Sequence, residues 1–243
     1  MKKQGLSQEG LKLIACIAML LDHLAVVIVM GPVISTRHGM RLEIYEFLRL
    51  IGRLSFPIYC FLLAEGSART RNPVRYGLRL AVCCLLSEFP YDLTLWGGFS
   101  WRHQNVMVTL LLGFCALEAM KKSSNVWVKL LLVLPFALAA DLAHSDYGAK
   151  GVLLIALFSL TREMPYRYWI QLLGMWFLFS PGNGMFLNWR EGIRITTQEW
   201  AVLALIPISF YSGRKATSHK LIQWGFYLFY PVHLLALYFI GRL

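Results

Sequence analysis

Mostly apolar blocks of about 14 to 23 residues recur from one end of this chain to the other, separated by short polar segments. A helix needs roughly 20 residues to cross about 30 Å of hydrocarbon, so the repeat length matches a bilayer. Nine candidate spans fall near residues 11–31, 44–66, 76–92, 104–120, 125–142, 148–161, 167–181, 198–212 and 221–241. The sixth and seventh are short, and Pro165, Pro181 and Gly182 punctuate that region, which leaves room for a re-entrant or broken element. The sequence is 57% hydrophobic and 15% charged, outside the balance of a water-soluble domain. It therefore predicts an all-α, polytopic integral membrane bundle of about nine helices, one transmembrane domain over residues 1–243.

Lysine and arginine accumulate on loops that stay in the cytoplasm. With the N-terminus inside, the inner segments hold Lys2, Lys3, Arg69, Arg71, Arg75, Lys121, Lys122, Arg162, Arg167, Arg214, Lys215 and Lys220, twelve cations. The outer segments hold seven: Arg37, Arg41, Arg102, Lys150, Arg190, Arg194 and Arg242. That bias predicts an N-inside, C-outside protein of the cytoplasmic membrane, and it accounts for the net charge of +11 without a nucleic-acid partner. The first span lacks a small-x-small cleavage pattern and contains Asp22 and His23, so it reads as a retained helix and not a signal peptide. The five cysteines, Cys16, Cys60, Cys83, Cys84 and Cys115, all lie in predicted spans without metal-ligand spacing, and read as apolar filler.

Each ionisable group inside such a span costs about 2.5 to 3.5 kcal/mol on insertion scales, so each needs shelter or a task. In K-L-I-A-C-I-A-M-L-L-D-H, the eleven steps from Lys12 to His23 turn within roughly 20° of three full helical turns and rise about 16 Å. Lys12 and His23 share a face, one at the interface and the other near mid-bilayer. Asp22 points about 100° away and is expected to answer another helix. The plainer alternatives are a snorkelling Lys12 and a His23 that bonds a neighbouring helix.

In R-L-I-G-R-L-S-F-P, Arg49 and Arg53 lie one turn apart and demand anions. Glu46 is positioned to neutralise Arg49, whereas Arg53 would take Asp22, a phosphate or a developing oxyanion. Arg69, Arg71, Arg75 and Arg79 make a basic loop that topology alone would explain, although Arg75 and Arg79 also open the third span where a phosphate would be received. Ser87, Glu88, Asp92, Gln104, Asn105, Asp141, His144 and Asp146 gather at the opposite ends of the spans. Singly they are helix ends meeting water; together they would form an acidic vestibule for a cationic amine. His233, in Y-P-V-H-L, is the second histidine deep in a span, beside the backbone break made by Pro231.

Basic groups at the inner mouth, a histidine at mid-depth and acids at the outer mouth describe group transfer across a membrane. Coenzyme A would place its phosphates on Lys12, Arg75 and Arg79 and its thioester near His23, which would act as general base or nucleophile.

The stretches K-L-I-A-C-I-A-M-L-L-D-H, G-R-L-S-F-P-I-Y-C-F-L-L-A-E-G, R-Y-G-L-R-L, L-S-E-F-P-Y-D and Q-N-V-M-V-T-L-L-L-G resemble the TraX family, over residues 11–115 above all. A named member of that family is implicated in acetylating the pilin of conjugative plasmids. More distantly, a basic residue followed ten residues later by a histidine is similar to the acyltransferase-3 membrane group. That likeness implies catalysis by His23, with Lys12, Arg49 or Arg53 in supporting roles. Together with the placement of the other ionisable groups, the expected catalytic set is His23, Asp22, Arg53 and His233, with acyl-CoA contacts from Lys12, Arg49, Arg75 and Arg79. Glu88, Asp92, Gln104, Asn105 and Asp141 would then meet an extracytoplasmic acceptor, a peptide amine, a sugar or a lipid. Acetyl-CoA is the expected donor substrate and no metal is expected. The departure from the acyltransferase pattern is Asp22 immediately before the histidine. Two other classes fit the same residues: a transporter or flippase for an anionic lipid or metabolite, and a non-catalytic membrane assembly protein.

Overall fold

The computed structural model of this protein describes residues 5–29, 38–180, 189–190, 193–194, 198–214 and 219–242. Apart from one two-residue antiparallel pair, Trp189–Arg190 with Ile193–Arg194, and two isolated bridges, its regular structure is helical. The chain divides into two compact units. The first comprises Met1–Tyr59 and Met175–Leu243, the second Cys60–Gly174.

In the first unit, α1 (Gln8–Leu24) starts at Ser7, whose hydroxyl accepts from the Gly10 amide at 3.1 Å. This is an N-cap that satisfies one of the orphan donors of the first turn. The helix widens after Leu24 into a π-helical turn, Ala25–Val29. Such turns occur where a helix is distorted beside a functional group; here the distortion begins two residues after His23. α2 (His38–Gly52) packs along α1 and ends at a break over Arg53 and Leu54, after which α3 (Ser55–Arg69) carries the chain into the second unit. The sequence predicts one span over 44–66; the structure makes two helices there, since Gly52 and the residues after it interrupt the backbone ladder. A span predicted over 198–212 is instead a 3-10 helix, Gln198–Ala204, running into the five-residue α9, Leu205–Ser209. Pro207 limits regular helix there. α10 (Lys220–Ile240) packs against α1 and its π turn.

The second unit is a bundle of α4 (Pro73–Trp96), α5 (Val106–Met120), α6 (Val126–Leu142), α7 (Gly148–Thr161) and most of α8 (Arg167–Phe179). Asn72, Asn105 and Asn125 cap α4, α5 and α6 with side-chain oxygens on the Arg75, Met107 and Trp127 amides, at 2.9, 2.8 and 2.8 Å. Pro73 fills the first turn of α4, and Gly97, with φ +73°, ends it in the left-handed conformation that favours glycine. Gly113 and Gly174 admit Ile155 and Leu157 into space that a Cβ would occupy. Close approach at small residues is how helices associate where lipid offers no hydrophobic drive.

Large apolar side chains cover the outside as well as the core: Leu85, Phe89, Leu138, Trp169, Leu173 and Phe177 are each exposed. Among the described residues three helical stretches are long and apolar enough to cross a membrane, Gln8–Val27, Ile44–Arg69 and Leu221–Ile240, and Val106–Met120 and Gly148–Thr161 are shorter apolar helices.

Candidate functional site

Asp22 and His23 are neighbours in sequence, but the helix turns them toward different elements. Asp22 faces α2, where Arg49 Nη1 donates to its Oδ2 at 2.5 Å and Arg53 Nη2 lies 3.5 Å from its Oδ1. The approach is possible because residue 52 is glycine, since a Cβ there would collide with the Asp22 carboxylate. Arg53 is buried, and its Nη1 donates to Oε1 of the equally buried Gln198 at 2.5 Å. Arg49 lies over the Tyr45 ring at 6.0 Å and has a buried Nε with no hydrogen-bond partner among the described residues. Two guanidiniums thus converge on one carboxylate, and this cluster carries surplus positive charge.

His23 faces α10. Its Nδ1 is 2.7 Å from Nε2 of His233, and Nδ1 of His233 is 2.7 Å from the Phe229 carbonyl oxygen. A carbonyl cannot donate, so His233 carries its proton on Nδ1. With neutral rings, its Nε2 is then an acceptor and His23 must donate from Nδ1. The lone pair of His23 is therefore on Nε2, the nitrogen turned away from His233. The two imidazoles are nearly parallel, 5° apart with centroids 5.0 Å apart, and the Phe229 ring stacks on His233 at 4.8 Å. His233 is buried, so its orientation is fixed by packing as well as by its two hydrogen bonds.

The face shared by Lys12 and His23 is the one presented to α10: Lys12 Nζ lies over the Phe226 ring at 5.2 Å, two turns along α10 from His233. Between them on α1, the buried Cys16 thiol bonds the Tyr59 hydroxyl at 3.1 Å. All five cysteines are free.

The first unit thus gathers Asp22, His23, Arg49, Arg53 and His233, with Lys12 on the same face of α1. Arg49 pairs with Asp22, a partner 27 residues away, where sequence reasoning offered Glu46 of its own helix. Gln198, Gly52 and the Phe229 carbonyl were not anticipated. An amide at the start of an apolar stretch, a glycine between two arginines and a backbone oxygen carry no chemical signature in a sequence.

The remaining candidates lie in the second unit. Arg75 and Arg79 are exposed at the start of α4, where Asn72 already takes the Arg75 amide and Arg79 lies over Tyr76 at 5.6 Å. At the same end the buried Glu65 pairs with Arg69 at 2.5 Å and Arg162 at 2.7 Å. Glu88, Asp92, Gln104, Asn105 and Asp141 gather at the other end. Asn105 Nδ2 donates to Glu88 Oε2 and, at 3.1 Å, to the Cys84 carbonyl. Asp92 Oδ2 accepts from the Ser100 amide at 2.9 Å. Asp141 Oδ1 accepts from the Ala149 amide at 2.7 Å, and the Gln104 backbone exchanges bonds with His144 and Asp146.

The family whose pattern matches this chain is that of the TraX protein, over residues 7–241. A relative from Dichelobacter nodosus, described as "Probable fimbrial assembly protein FimC, serogroup H1", is 30% identical over 244 residues, covering 92% of this chain and 91% of its own. No solved structure matches.

Proposed function

This chain belongs to the TraX family, and from that premise and the histidine pair we propose that it is a multi-pass protein of the cytoplasmic membrane that transfers an acetyl group from cytoplasmic acetyl-CoA to an extracytoplasmic amine or hydroxyl. The observation that carries this reading is the hydrogen bond from His23 to His233, which leaves His23 Nε2 as a base. In the proposed reaction the acceptor's N–H or O–H gives its proton to His23 Nε2 while its heteroatom attacks the thioester carbonyl. The tetrahedral intermediate collapses, the C–S bond breaks, and His23 returns the proton to the departing thiolate. A positioned base of this kind contributes about 10²- to 10⁴-fold. The surplus charge of Arg49 and Arg53 suits the oxyanion that forms between those steps, a task for which one donor is worth about 10²- to 10³-fold. Lys12, about 16 Å from His23 along α1, suits the anionic body of the donor.

The apolar outer surface and the cation distribution support insertion with the N-terminus inside. The name of the fimbrial relative favours a surface polypeptide as acceptor; it equally supports a second reading, a membrane protein that assists assembly without chemistry. Radiolabelled acetyl-CoA supplied to the purified protein with envelope fractions separates them. Label transfer that is lost in His23→Ala and kept in a variant of an exposed apolar position such as Leu85→Ala supports the enzyme. Assembly that survives His23→Ala, with no label transferred by the unaltered protein, overturns it.

A further inference from the structure

On α4 of the second unit, Glu88, Asp92 and Trp96 follow one another at four-residue intervals and form one column on the helix. The segment after Gly97 folds back along that column and is fastened to it at two points. The Ser100 amide bonds Asp92 Oδ2, and Asn105 bonds Glu88 Oε2 through both its side-chain and backbone nitrogens. Each carboxylate therefore spends one oxygen on holding the segment. The other oxygen of each, Glu88 Oε1 and Asp92 Oδ1, is buried and accepts no hydrogen bond among the described residues.

Asp92 is fully buried, Glu88 is half-buried, and the two lie one helical turn apart. No described lysine, arginine or histidine pairs with either. The side chains around them, Ser87, Tyr91 and Asn105, are uncharged, and Asp146 adds a further negative charge near Tyr91. Two carboxyl groups with free oxygens on one helical face, reached from the Glu88 side, suit a cation that can donate hydrogen bonds. One turn beyond Asp92 the helix end is aromatic: Trp96 stacks on His103 at 4.6 Å, and Phe99 meets Trp101 edge-on at 4.8 Å.

We propose that Glu88 Oε1 and Asp92 Oδ1 form a binding site for one N–H-bearing organic cation, an ammonium or a guanidinium group entering past Glu88. A cation with two or more N–H donors can bond both orphaned oxygens, which neither a bare sodium ion nor a fully methylated ammonium does. The site stands without the acyl-transfer reading, since it requires binding and no chemistry.

The test uses the full chain in lipid nanodiscs, titrated with methylammonium, methylguanidinium, tetramethylammonium and sodium and followed by calorimetry and thermal unfolding. Saturable binding of methylammonium or methylguanidinium is expected, whichever is tighter naming the source as an amine or an arginine-like group. Tetramethylammonium and sodium bind at least about tenfold more weakly. Glu88→Gln, which keeps an oxygen for Asn105, weakens the response at least about tenfold, and Asp92→Asn serves as the second variant. Equal binding of tetramethylammonium, no saturable response to either N–H cation, or an undiminished response in Glu88→Gln overturns the proposal. So does a protonated-carboxyl infrared band at neutral pH that disappears in Glu88→Gln, because a shared proton then closes the pair. If neither variant folds, the cation series on the unaltered protein decides alone.

Discussion

The two units handle buried charge in opposite ways. In the second, several polar side chains sit at helix ends and complete the backbone: Asn72, Asn105 and Asn125 are caps and Asp141 holds the start of α7, while Glu65 is closed by two arginines. In the first, Asp22, His23, Arg49, Arg53 and His233 lie inside the helices or at a break, and each meets a partner on an element distant in sequence. Polar groups at helix ends cost little, since orphaned amides and carbonyls are there to be met. Polar groups in mid-helix pay desolvation with no backbone group to receive them, so they persist where they serve chemistry or lock a fold. This contrast is why the proposed chemistry is placed in the first unit, and it sets the free oxygens of Glu88 and Asp92 apart from the caps of the second.

Substitutions can break the comparison, beginning with the largest effect. His23→Ala should lower acetyl transfer by about 10²- to 10⁴-fold with the protein still folded, measured with labelled acetyl-CoA against thermal unfolding. Arg53→Ala should cost about 10²- to 10³-fold in the same assay, and restoring a cation with Arg53→Lys should recover only part, because a single ammonium cannot meet both Asp22 and Gln198. His233→Ala should cost about 10- to 100-fold, the usual effect of removing a group that orients the reacting one, and a change confined to the acceptor KM would contradict that role. Glu65→Gln should leave the rate per folded molecule unchanged while lowering stability by about 1 to 2 kcal/mol, because the half-exposed Arg69 then loses its anion while Arg162 keeps Glu163. Asn125→Ala should be smallest, about 1 kcal/mol of stability from the lost cap of α6 and nothing in the assay. A rate effect from Glu65→Gln comparable to that of His233→Ala would erase the distinction between the units.

Much of the helical pattern was legible because hydrophobic blocks report burial directly: the stretches at 104–120, 125–142 and 148–161 became Val106–Met120, Val126–Leu142 and Gly148–Thr161 with little change. The stretch at 198–212 misled, since its composition is apolar while Pro207 and tight 3-10 turns limit regular helix. The resemblance to the TraX family, carried by motifs within residues 11–115, agrees with the family match over residues 7–241. At the site, helical phase alone set Lys12 and His23 on one face and turned Asp22 from it, because 100° per residue is a property of the backbone.

The sequence by itself determined the helix count to within its broken segments, the position of each charge along its helix, and which neighbouring charges could not meet. It did so because rise and turn per residue are fixed by covalent geometry and hydrogen bonding. Only the tertiary structure decided the partners: that Arg49 answers Asp22 and not Glu46, that Gly52 makes room for it, that Gln198 holds Arg53, and that His233 orients His23. The last contact joins residues 210 apart. Pairings at such separations follow from how helix faces pack, and packing depends on every side chain along the interface, a condition that no local pattern records.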